Sequence, residues 1–180
     1  MKTYEKIVTS PRLVISQDEY AESPRECEYT SKLVIQTHRQ YSFPNELDFD
    51  FNNNSKEEFN EFIQSQEKEY FIFSLDCYIH SGVSFSLSWE GIQCAFDTSN
   101  NCGYILIKKE ENLTIEDARK DAEVQIEEYN AYLNGDIYSF ILYDKDGKIE
   151  DSCWGFYNIG DIRGYLPKEF DGECLHEYLK

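Results

Sequence analysis

The amino-acid sequence predicts a single α+β domain, residues 1–180, built on an antiparallel β-sheet with one long and one or two short amphipathic helices. Three observations lead there. Short β-branched and aromatic runs, such as Tyr70-Phe71-Ile72-Phe73 and Tyr138-Ser139-Phe140-Ile141, suit a pleated, half-buried surface better than a helix interior. Two stretches repeat apolar residues at three- and four-residue spacing behind a helix-start signal. A chain of 180 residues, 41% hydrophobic and 16% aromatic, lies in the range of one domain with one core.

Taken in order, Leu13-Val14-Ile15-Ser16 and Leu33-Val34-Ile35-Gln36 read as strands, separated by a loop around Ser23-Pro24-Arg25-Glu26. Residues 44–54, rich in Asn and Asp, read as an exposed connection. Ser55-Lys56-Glu57-Glu58 has the form of a capping box, in which the Ser oxygen and the Glu carboxylate satisfy backbone N–H groups at a helix start. A short helix over 56–68 is expected behind it, with Phe59, Phe62 and Ile63 as its apolar stripe.

Tyr70–His80, Val83–Trp89 and Gly103–Lys108 read as an antiparallel meander, punctuated by Ser81-Gly82 and by Thr98-Ser99-Asn100-Asn101. The longest helix follows over 114–133. Thr114 with Asp117 caps it, Ile115, Ala118, Ala122, Ile126, Tyr129 and Leu133 form its stripe, and Asn134-Gly135 supplies a left-handed stop. Ile137–Tyr143 and Lys148–Tyr157 flank Asp144-Lys145-Asp146-Gly147, a hairpin turn, with Trp154 expected in the core. The tail, 159–180, reads as short helix and coil.

The net charge is -18 and the pI near 4.4. Such a charge disfavours direct binding to free nucleic acid and makes a basic protein surface the natural partner. The long helix carries Glu116, Asp117, Asp121, Glu123, Glu127 and Glu128 against Arg119 and Lys120. Carboxylates three or four residues apart on a helix stand roughly 5–6 Å from each other. These six, with Asp48, Asp50, Glu57 and Glu58, are the candidate partner-binding residues.

The first residues, Met1-Lys2-Thr3-Tyr4-Glu5-Lys6, open no apolar run, and no stretch approaches the roughly 20 apolar residues of a membrane span. A cytoplasmic setting without membrane contact is expected, with the cysteines reduced because their irregular spacing forms no disulfide framework.

Catalytic and metal motifs give little. Asp144-Lys145-Asp146-Gly147 lacks the third liganding Asp and the bidentate Glu of a calcium loop. A zinc set would have to be gathered from Cys77, His80, Cys94 and Cys102. Cys153 beside Trp154, with His38, His80 or His176 as base, reads as a packing thiol rather than a nucleophile. Neither catalysis nor a cofactor is expected.

Several islands resemble a widespread family of small phage and mobile-element proteins. They are Glu22-Ser23-Pro24-Arg25-Glu26 with His38-Arg39-Gln40-Tyr41; His80-Ser81-Gly82-Val83; Cys94-Ala95-Phe96-Asp97 with Gly103-Tyr104-Ile105; and Glu128 through Tyr138 joined to Asp151-Ser152-Cys153-Trp154-Gly155-Phe156-Tyr157. The chain has Ile79 where members of that family usually carry an acidic residue. The resemblance brings no activity with it. Joined to the charge, it implies a counter-defence role in a bacterial host cell. In that role an inhibitor docks on the basic surface of a restriction enzyme or a CRISPR effector. The alternative is a phage–host regulatory contact with a host polymerase or regulator.

Overall fold

The computed structural model describes residues 12–26, 29–36, 41–79, 82–88 and 98–180. Among them are strands β1 (Arg12–Gln17), β2 (Lys32–Ile35), β3 (Tyr70–Ile79), β4 (Val83–Leu87), β5 (Thr98–Lys108), β6 (Tyr138–Tyr143) and β7 (Ile149–Phe156), and helices α1 (Lys56–Ser65) and α2 (Ile115–Asn134). The class is α+β, with two antiparallel sheets ordered β1-β6-β7 and β2-β5-β3-β4. The chain forms two compact units. One joins the residues up to Glu22 with Asn134–Lys180; the other, Ser23–Leu133, is inserted between β1 and β6.

In the inserted unit, strand alternation sends side chains to both faces of the sheet. Leu33, Ile35, Ile105 and Ile107 pack with Ala118, Ala122, Ile126 and Tyr129 of α2. Val34 and Leu106 point the other way, onto Phe59 and Ile63 of α1. The two helices therefore cover opposite faces of one sheet. The capping box of α1 is present: the Glu58 N–H donates to Ser55 Oγ at 3.2 Å and the Ser55 N–H to Glu58 Oε2 at 2.7 Å. The segment before it is less exposed than its composition suggests, because the rings of Phe49 and Phe51 each lie 4.9 Å from Phe59.

Two expectations are corrected here. The three central strands are not a simple meander: β5 lies between β2 and β3, leaving β4 on the edge. Ile105, Leu106 and Ile107 are buried in succession, which demands cover on both faces and hence a central place. Ser84 and Ser86 of β4 are exposed, as suits an edge. The second correction concerns Thr98–Asn101, which begin β5 instead of ending a turn. The strand continues through an irregularity at which Asn101 takes φ 51 and its N–H donates to Asp76 Oδ1 at 3.1 Å. Asn tolerates that left-handed conformation, so turn-like composition and strand coexist. Gly103 is needed because a Cβ there would stand 2.8 Å from Ile35 Cα.

In the other unit, the Asp144–Gly147 hairpin turn forms as expected. Asp144 Oδ1 accepts from the N–H groups of Asp146 and Lys148, and Gly147 has φ 78. The tail contributes more than its sequence suggests. Ile159, Ile162, Phe170 and Leu175, on short 3-10 turns, pack with Leu13, Ile15, Phe140, Leu142 and Phe156. The Lys180 N–H donates to the Ile15 carbonyl at 3.0 Å, and Leu179 bridges to β1. Trp154 is not in this core: it is 58% exposed. Cys153 packs inward and Phe156 is buried again three residues on, so the bulge between them, with Gly155 at φ 81, leaves Trp154 turned outward.

Candidate functional site

Helix α2 begins as its sequence indicates. The Asp117 N–H donates to Thr114 Oγ1 at 3.1 Å, and Thr114 Oγ1 donates to Asp117 Oδ2 at 2.7 Å. At 3.6 residues per turn, Glu116, Glu123 and Glu127 fall within about 40° of one another around the axis, and Asp117, Asp121 and Glu128 within a second arc of about 40°. The carboxylates thus form two rows, separated by Lys120, the half-exposed Val124 and Ala131. Glu116 to Glu127 spans about 16 Å along the helix.

The rows are unequally available. Glu123 is bonded by Arg119 Nε at 3.2 Å, Asp117 faces Lys120 at 3.8 Å, and half-buried Glu128 accepts from the Tyr29 hydroxyl at 2.9 Å. Glu116, Asp121 and Glu127 are exposed and have no hydrogen-bond or ion-pair partner among the described residues. These three present unneutralised charge to an incoming surface.

Asp48, Asp50, Glu57 and Glu58 are also exposed, but they belong to α1 and the segment before it, on the opposite face of the sheet from α2. The structure does not join the two sets into one surface. Glu58 is occupied by its cap. Asp50 organises a turn: the Asn53 side-chain amide, then the Asn52 N–H, hold its carboxyl below the ordinary carboxylate value.

Sequence reasoning missed the polar cluster that fixes α2. The Arg25 side chain is only 6% exposed. It grips Glu46 with two bonds, Nε to Oε1 at 2.8 Å and Nη2 to Oε2 at 2.6 Å, while Nη1 donates to Gln125 Oε1 at 2.9 Å. Ser31 Oγ donates to the same Gln125 oxygen, Glu46 Oε2 accepts from the Leu33 N–H at 2.8 Å, and the guanidinium lies 4.7 Å from the Tyr29 ring. Gln125 therefore sits in the buried stripe, while Ile115, assigned to that stripe by spacing, is 55% exposed.

A second clamp joins α2 to β4. Asn130 Nδ2 donates to the Phe85 carbonyl and Asn130 Oδ1 accepts from the Phe85 N–H, each at 2.8 Å. Beside it, Phe85, Leu87 and Ile126 floor a cleft of about 240 Å³, rimmed by Arg119, Glu123 and Glu127.

Cys77, Cys102, Cys153 and Cys174 are free thiols. Contact with Cys77, followed by burial, pushes the Cys102 thiol well above its ordinary value. His176 is exposed; His38 and Cys27, and with them His80 and Cys94 of the scattered zinc set, lie outside the described residues. No helix among the described residues is long and apolar enough to cross a membrane.

No family model, curated protein or solved structure matches this chain.

Proposed function

We propose that this chain acts by docking on the basic surface of a protein partner through the carboxylate rows of α2. The observation that carries this reading is the exposure of Glu116, Asp121 and Glu127 along one rigidly anchored helix, in a chain of net charge -18. A field of that sign repels free nucleic acid and steers a cationic surface into encounter. The proteins that carry such surfaces by necessity are those that hold nucleic acid. With the resemblance to phage and mobile-element proteins, the favoured partner is a host defence nuclease, a restriction enzyme or a CRISPR effector, met in the bacterial cytoplasm.

The test is cleavage of target DNA by purified restriction endonuclease and CRISPR effector, with the chain added before or after DNA. Inhibition that requires addition before DNA and weakens as salt rises supports docking on the nucleic-acid surface. Inhibition independent of order and of salt counts against it.

One observation favours a second reading. Trp154 and Ile149 on β7 are 58% and 61% exposed. Exposed aromatic and aliphatic groups of this kind anchor protein contacts, and they suit a regulatory contact with a host polymerase or regulator.

A further inference from the structure

We infer that the cleft between β4 and α2 is an anchor pocket for a basic protein segment. It receives one aliphatic side chain, and a neighbouring Lys or Arg of the same segment lies against Glu127. The inference rests on the acidic docking proposed above and assigns it a specific point of engagement.

The size selects the occupant. At about 240 Å³ the cleft falls below the roughly 300 Å³ at which drug-sized ligands begin to fit, and it suits a single side chain. Its floor is apolar, from Phe85, Leu87 and Ile126, and its rim is charged. An apolar floor with a charged rim matches the centre-and-border pattern of protein contacts.

The rim sets the orientation. Arg119 already bonds Glu123 at 3.2 Å, so that part of the rim carries a resident cation. Glu127, one turn further along α2, is exposed and has no partner among the described residues. An incoming ammonium or guanidinium is therefore drawn to the Glu127 end. Charge complementarity excludes an acidic segment at the same place.

The walls are held before any partner arrives. Asn130 lies three residues beyond Glu127 and fixes Phe85 by its two bonds of 2.8 Å. Strand and helix thus keep their separation, and little conformational freedom is left to lose on binding.

The test uses the full chain, labelled for NMR, and three capped tripeptides as probes: Lys-Leu-Lys, Lys-Ala-Lys and Glu-Leu-Glu. Lys-Leu-Lys is expected to shift the amides of Phe85, Ser86, Leu87, Glu123 and Glu127. Lys-Ala-Lys should bind about fivefold more weakly for want of the buried aliphatic group, and Glu-Leu-Glu should leave these amides unmoved. Leu87→Trp, which enlarges a half-buried side chain of the floor, should abolish the Lys-Leu-Lys shifts, while Ser86→Trp, whose side chain strand alternation directs to the other face of the sheet, should not. Equal affinity for Lys-Leu-Lys and Lys-Ala-Lys, with shifts only around Glu116 and Asp121, would overturn the pocket and leave acidic docking standing. Absence of any shift with either cationic peptide would count against both. The comparison of peptides is made on the wild-type chain, so it decides the matter even if Leu87→Trp fails to fold.

Discussion

The side-chain amide of Asn130 takes the place of a neighbouring strand at Phe85, bonding both the N–H and the carbonyl of that edge residue at 2.8 Å. Open strand edges invite pairing with other chains. Asn130→Ala should therefore cost about 1–3 kcal/mol of stability and promote self-association. Chemical denaturation and light scattering measure the two effects. A variant as stable and as monodisperse as wild type would show that the clamp is dispensable.

Arg25 and Glu46 form a bidentate pair whose arginine is almost wholly buried. Removing one partner of a buried pair typically costs about 3–5 kcal/mol. Because Glu46 retains 22% exposure and can recover some solvation, Arg25→Ala is expected near the lower end of that range. Arg25→Lys should recover only part, since a lysine cannot reach Glu46 and Gln125 with one planar fork. Equal stability of the lysine variant and wild type in urea denaturation would contradict this geometry.

These two clamps mark the limit of what the sequence made legible. Local signals were read correctly: the Ser55–Glu58 capping box, the Thr114–Asp117 cap, and Gly135 with φ 72 at the end of α2. Each depends on neighbours within a few residues. Arg25 meets Gln125, and Asn130 meets Phe85, only after the sheet and helix have packed, and no spacing rule connects residues so far apart in the chain. The strand order failed for the same reason, since alternation fixes faces but not neighbours. The candidate site was half legible. Periodicity placed the α2 carboxylates outside, but it could not show that Glu57 and Asp48 occupy the far side of the sheet.

Trp154 behaves as a surface residue. Its 58% exposure predicts that Trp154→Ala changes stability by less than about 0.5 kcal/mol, where a buried tryptophan would cost about 3–5 kcal/mol. Thermal or chemical denaturation separates the two outcomes. A large loss would return Trp154 to the core.

Tyr129 supplies a pH signature. Burial on the sheet-facing side of α2, helped by the nearby Tyr132, pushes its hydroxyl from the ordinary 10 up to about 12. A raised value means the fold favours the neutral phenol. Its stabilising effect is complete below pH 10 and is lost as pH rises from about 10 to about 12. Tyr129→Phe should flatten the fall in stability across that window. An unchanged alkaline limb would assign the loss to other groups.

Acidic docking is tested most directly by moving charge on one face of the inserted unit and not the other. Two triple reversals are compared: Glu116→Lys, Asp121→Lys and Glu127→Lys on α2, and Glu57→Lys, Glu61→Lys and Glu67→Lys on and just after α1. All six residues are exposed, and both variants change the net charge equally. Association rates are measured for wild type and both variants across a salt series, against the nuclease that the inhibition assay identifies. Steering by local charge predicts that the wild-type rate falls steeply with salt, and that the α2 reversal slows association about tenfold or more at low salt. The α1 reversal should have a much smaller effect. A rate that is flat with salt, or equal slowing by both reversals, would contradict docking through α2.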